Sequence, residues 1–190
     1  MRTRLVVIAA AVFLIYSAAQ CLSIAEDAPP LKSGLHPGER VATFYVRAIT
    51  GPLRNKSVCY VCRNGDRPVV MIFVRTATTE LRRLLKAIDE QVDAHRADGL
   101  RSFAVFLAGE RADLSSEVQT LAFEEKLGLP LTIAATAVSG PAGPAIDPAA
   151  AVTVILYKDQ TVVTNFAFRD GELSPTEQTR IVEAVEKLVD

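Results

Sequence analysis

The stretch KSVCYVCRNGDRPVVMIFVRTATTELRR, residues 56–83, decides the fold through three successive patterns. A Cys-x-x-Cys pair, Cys59 and Cys62, comes first. An unbroken apolar run, VVMIFV at 69–74, follows Pro68 and ends at Arg75. Such a run suits a strand buried on both faces of a sheet. Leu81, Leu84, Leu85, Ile88 and Val92 then recur at the spacing of one helix face. Thr78 or Thr79 can cap the start of that helix, and Gly99 lies beyond its end. A buried strand handing over to an amphipathic helix is the repeating unit of an α/β fold. Redox cysteines usually sit where such a strand meets its helix; here they come ahead of the strand.

The pattern continues outward. SFAVFLA at 102–108 reads as a second apolar strand. Leu114, Val118, Leu121 and Ala122 mark a second helix, stopped by Gly128 and Pro130. LTIAA at 131–135 suits a short strand. AVTVILY and TVVTNFAF flank KDQ at 158–160, a hairpin signature. Ser174-Pro175-Thr176-Glu177 supplies an N-cap, a proline at the first helical position and a capping-box glutamate. Ile181, Val182, Val185 and Leu188 form the buried face of that last helix. Upstream, VATFYVRAI at 41–49 reads as a strand ended by Gly51-Pro52. The order predicts an α/β sandwich over residues 41–190, with a central mixed sheet flanked by helices on both faces.

The first 25 residues predict an export signal. Arg2 and Arg4 precede an apolar run from Leu5 to Tyr16, and small residues suit cleavage after Ala19 or Ala25. The run is short for a membrane span, so membrane attachment is expected only through an uncleaved signal. Gln20 disfavours a lipoprotein reading of Cys21. Residues 26–40 are rich in proline, glycine and charge and read as a linker. The localisation expected is exported, periplasmic or extracellular. The chain has 21 basic and 22 acidic residues; without the two arginines of the signal the balance is 19 against 22, or −3. Such a balance predicts no nucleic-acid surface.

The element order resembles the thioredoxin-like superfamily, in its peroxiredoxin and thiol-specific antioxidant (redoxin) branch. GERVATFYVRAITG resembles that branch's opening, RPVVMIFV its central strand, LGLPLTI the segment after the second helix, and VTVILYKDQTVV its closing hairpin. The likeness spans about residues 38–190. It implies a nucleophilic cysteine at the start of the helix after the central strand, but Thr78 and Thr79 stand there. It also implies a cis-proline before the closing hairpin, where Ala151 and Val152 stand; Pro148 is too early. A threonine hydroxyl does not replace a low-pKa thiolate, so no standard peroxidase activity is expected. Arg75 and Glu80 flank the vacated turn, where a binding cleft could persist.

Cys59 and Cys62 leave three readings open. The pair could be a structural disulfide of an exported, redox-inert binding module. That requires Tyr60-Val61 to turn, although both are strand formers. It could instead be a displaced thiol–disulfide exchange site, with Cys59 attacking and Cys62 resolving by analogy with order alone. Lys56, Arg63 and Arg67, with Arg54, would then favour thiolate against the single opposing Asp66. RNGDRP reads as a turn and not as a continuing helix. Or the thiolates could bind Cu(I) or half a Zn site, with His36 and His95 as the available imidazoles. No cofactor is expected: Arg63 stands where a c-type haem motif needs His, and no phosphate-binding glycine loop occurs. Ser115-Ser116 reads as a helix start without an activating histidine. The partner expected is another exported protein, met through thiol exchange or docking.

Overall fold

The computed structural model describes residues 31–107, 113–134 and 143–190. The signal-peptide expectation falls on residues outside those described. Seven strands form one sheet: β1 (Val46–Ala48), β2 (Ser57–Val58), β3 (Val69–Val74), β4 (Arg101–Phe106), β5 (Leu131–Ala134), β6 (Val152–Lys158) and β7 (Thr161–Phe168). Four helices connect or cover them: α1 (Tyr60–Asn64), α2 (Thr79–Ala94), α3 (Leu114–Glu124) and α4 (Pro175–Val189). The spatial order is β2-β1-β5-β4-β3-β6-β7. β3 pairs in parallel with β4, and β4 with β5; β1, β2, β6 and β7 join antiparallel. The expected mixed sheet is present.

The two parallel crossovers step the same way across the sheet, which puts α2 and α3 on the same face. α4 joins them there, and Val70, Ile72, Val74, Ala104 and Phe106 supply the sheet's half of that core. The opposite face presents Met71, Phe73, Phe103, Val105, Ile155 and Tyr157. Its cover is thinner: the single turn of α1, with Leu35, Phe44 and Leu53 packed alongside. Both faces carry helix, but in unequal amounts.

Several expectations are met in detail. Thr78 Oγ1 accepts from the Leu81 N–H at 3.2 Å and caps α2. Ser174 Oγ caps α4 through the Glu177 N–H at 3.3 Å, with Pro175 at its first turn. The hairpin closes through Asp159 and Gln160 at φ 53° and 57°, positive at both central positions, as a two-residue turn requires.

Two expectations change. The 41–49 strand is laddered only over Val46–Ala48, antiparallel to Thr132–Ala134 of β5 among the described residues. Residues 31–40 of the expected linker are docked on the sheet. Ser33 is 3% exposed and shares a 2.7 Å hydroxyl contact with Thr153. A Cβ at Gly34 would meet Thr153 Cγ2 at 3.0 Å and Ile155 Cδ1 at 3.1 Å, and its φ of 82° suits glycine.

Candidate functional site

β2 lies at the sheet edge, and the chain must cross the α1 face to reach β3. α1 makes that crossing, and it corrects the strand-like reading of Tyr60-Val61. Cys59 is its N-cap in an extended conformation, and its sulfur accepts from the Cys62 N–H at 3.1 Å. The Arg63 N–H donates to Cys59 O at 3.1 Å, and Gly65, at φ 59°, donates to Val61 O at 3.2 Å. Helix thus continues through Arg63-Asn64, where a turn is expected, and stops at the glycine. Magnitudes explain the override. Helix propensity separates Tyr or Val from alanine by less than about 0.7 kcal/mol. Burying such a side chain contributes roughly 1.5–3 kcal/mol. Tyr60 is 7% and Val61 1% exposed. The Tyr60 ring stacks on Phe103 of β4, with centroids 5.0 Å apart at 17°.

The turn brings the sulfurs together. Cys59 and Cys62 form a disulfide, with Cα atoms 5.3 Å apart, inside the span such a bond requires. The two cysteines differ in environment. Cys59 is 5% exposed and belongs to the α1-side core, whereas Cys62 is exposed. That is the reverse of the exposure an attacking Cys59 would need. The backbone turn of α1 points one sulfur inward and the other to solvent, a distinction the motif does not encode.

The expected supporting cations scatter. Lys56 is exposed just ahead of β2. Arg54 reaches away to Gln119 Oε1 on α3, at 3.3 Å. Arg67 donates to Asn64 O at 3.2 Å and Arg63 O at 3.5 Å, closing the C-terminal end of α1. Arg63 follows Cys62 directly and lies near Tyr60, whose hydroxyl is pushed up in pKa by burial, partly offset by this guanidinium. Among the described residues, no group of three or more His, Cys, Asp or Glu side chains could hold a metal. His95 pairs with Asp98 at 3.0 Å.

The vacated family position is structural. Thr78 spends its hydroxyl on the cap of α2, and Thr79 is the exposed first residue of that helix. Neither sulfur is at that helix start. Nearby, Arg75 donates its N–H to Ala151 O at 2.9 Å and a guanidinium N–H to Asp147 O at 3.3 Å. Ala151 thus occupies the place before β6 and holds it to the end of β3. A cleft of about 470 Å³ beside Ala77 is lined by Arg82, Phe106 and the α3 residues Leu114, Glu117 and Leu121. Arg82 pairs across it with Glu124 at 2.8 Å and Glu125 at 3.2 Å.

No protein-family model and no curated protein matches the chain. Solved structures do. The thioredoxin domain of a thiol-disulfide oxidoreductase from Bacteroides vulgatus superposes with a TM-score of 0.59 at 14% identity, over 82% of this chain and 99% of that one. The chain's fold is thioredoxin-like. Peroxidoxin BcpB from Mycobacterium tuberculosis gives 0.58 at 14% identity, over 82% and 99%. A secreted Mycobacterium tuberculosis disulfide oxidoreductase homologous to E. coli DsbE gives 0.56 at 12% identity, over 76% and 95%. At such identities the likeness concerns the fold. What the sulfurs do has to be argued from this chain's own residues.

Proposed function

We propose that the protein is an exported thioredoxin-fold thiol–disulfide exchange protein, acting through Cys59 and Cys62 from a helix ahead of β3. The observation that carries the reading is the asymmetry of the pair: an exposed Cys62 bonded to a buried Cys59 whose sulfur already accepts an N–H. A partner thiolate attacks Cys62 Sγ. The Cys59–Cys62 bond breaks, a mixed disulfide forms at Cys62, and Cys59 leaves as thiolate. The Cys62 N–H, placed at 3.1 Å, stabilises that leaving sulfur. A second partner thiolate then attacks the partner's own sulfur and releases Cys62. Two electrons pass from the partner dithiol to the protein disulfide, and the two protons end on Cys59 and Cys62. In reverse, Cys62 attacks a partner disulfide and Cys59 resolves the mixed species.

The redox-inert alternative has one observation in its favour. Cys59 packs with Val58, Tyr60 and Val61 in the core, as a staple holding α1 would. Single serine variants separate the two. Reduced Cys59→Ser, retaining Cys62, should react quickly with an aromatic disulfide reagent and accumulate a mixed disulfide with glutathione disulfide. Cys62→Ser, retaining Cys59, should react at least tenfold more slowly until denaturant is added. Equal protection of both thiols in the folded chain would contradict exchange.

A further inference from the structure

Where β3 and β4 begin, the sheet end is notched by a cleft of about 480 Å³ between α1, the end of α2 and the loops leading into β2 and β5. That volume lies within the range of small-molecule sites. Arg63, Arg67, Arg96 and Arg101 line it, against one carboxylate, Asp89. Asp89 is already engaged: it accepts the Gly128 N–H at 2.9 Å and the Leu129 N–H at 2.8 Å. Arg96 pairs with Asp93 at 2.6 Å. Arg67 and Arg101 each use one guanidinium nitrogen on main-chain carbonyls, which leaves further N–H donors on both. Arg63 has no side-chain partner among the described residues.

Two lining side chains, each more than nine-tenths buried, end in polar atoms without a protein partner. They are Tyr60 Oη and Ser102 Oγ, on residues 7% and 6% exposed, whereas the Asn64 side chain is engaged with the Tyr157 hydroxyl. Leaving such groups unpaired is costly. Both can donate a hydrogen bond, and so can every arginine around them. Burial holds Tyr60 in its neutral, donating form. Donors lining one cleft under positive charge fit a ligand made of anionic oxygens. Leu53, Val92, Leu129 and Pro130 supply an apolar wall for a carbon skeleton.

We propose that this cleft binds a small organic anion carrying a phosphate or carboxylate group. The site is separate from the vacated family position and does not depend on exchange at Cys62, although three of its residues, Tyr60, Arg63 and Asn64, ride on α1.

Titration calorimetry and ¹⁵N-correlated NMR of the full chain test it, with inorganic phosphate and citrate as probes. Saturable binding is expected for at least one probe, with the largest shifts at the Ser102 and Gly128 amides. Preference for phosphate or citrate distinguishes the two anion chemistries. Arg63→Ala and Tyr60→Phe should each weaken binding, by about tenfold for the arginine, while melting temperature stays near that of the parent chain. Arg83→Ala, an exposed cation on α2 outside the cleft, should change nothing. Absence of saturable binding by both probes overturns the proposal. So does binding that survives both cleft substitutions unchanged, because the anion would then sit elsewhere.

Discussion

The Cys62 N–H donates to the sulfur of Cys59, the same atom to which Cys62 is covalently joined, so the turn of α1 is closed twice over one gap. Reduction removes the covalent closure and leaves the weaker hydrogen bond. The loop is four residues long, and the chain-entropy relation gives it about 2 kcal/mol. Urea unfolding with and without dithiothreitol should show a loss of that size or less, and the Cys59→Ser/Cys62→Ser variant should match the reduced chain. A much larger loss would mean the disulfide holds more than α1.

Tyr60 couples that turn to the sheet through Phe103. Tyr60→Ala removes a buried aromatic ring and should cost about 3–5 kcal/mol. Tyr60→Phe keeps the ring and deletes only an unpartnered hydroxyl, so its stability should equal or exceed that of the parent chain. Chemical denaturation of both variants checks the pair. A large loss in Tyr60→Phe would mean that the hydroxyl is bonded in solution.

Burial raises the pKa of Tyr60 and, more strongly, of Tyr157. The sign follows from linkage: the folded state holds these protons more tightly than the unfolded state does. Their contribution is fully present below the ordinary tyrosine pKa near 10 and is lost as pH rises from there through the folded values. Stability measured from pH 8 to pH 12 should therefore fall above about pH 10. Tyr60→Phe/Tyr157→Phe should flatten that fall, which separates it from lysine titration. An unchanged alkaline limb in the double variant would contradict the assignment.

Thr78 stands where a nucleophile would be expected in this fold, but its oxygen caps α2. Thr78→Ala should cost about 1 kcal/mol and leave the rate of thiol exchange at Cys62 unchanged. Slower exchange in a folded Thr78→Ala chain would return chemistry to the helix start.

Asp89 ties α2 to the segment before β5 through two main-chain N–H groups while only 6% exposed. Asp89→Ala leaves both donors buried without a partner and should cost roughly 2–4 kcal/mol. Asp89→Asn keeps one acceptor oxygen and should cost less. Thermal melts of the two variants order them.

The parts of the fold legible in sequence were those with a period or a cap. VVMIFV has no polar residue to place on either face, and β3 is buried throughout. Ser174-Pro175 with Glu177 marks the start of α4 to the residue. α1 left no such trace. Five residues are too few to show a helical period, and Tyr60 and Val61 prefer strands until the sheet offers them a surface to cover. The inward sulfur at Cys59 and the outward one at Cys62 follow from how that turn sits on Phe103, a contact across the chain. The arginine cleft is similar. Arg63 and Arg67 are visible as charge around the pair, but Arg96 arrives from the turn after α2 and Arg101 and Ser102 from β4, and the β3–β4 pairing helps bring them alongside.

The central claim, that Cys59–Cys62 is an exchangeable disulfide opened at Cys62, is tested most directly by a glutathione redox titration of the full chain with alkylation trapping and mass mapping of the trapped mixed disulfide. The account predicts a potential between roughly −120 and −270 mV, the span of dedicated exchange proteins, with glutathione found on Cys62. A potential below about −300 mV, or glutathione found on Cys59, would contradict it.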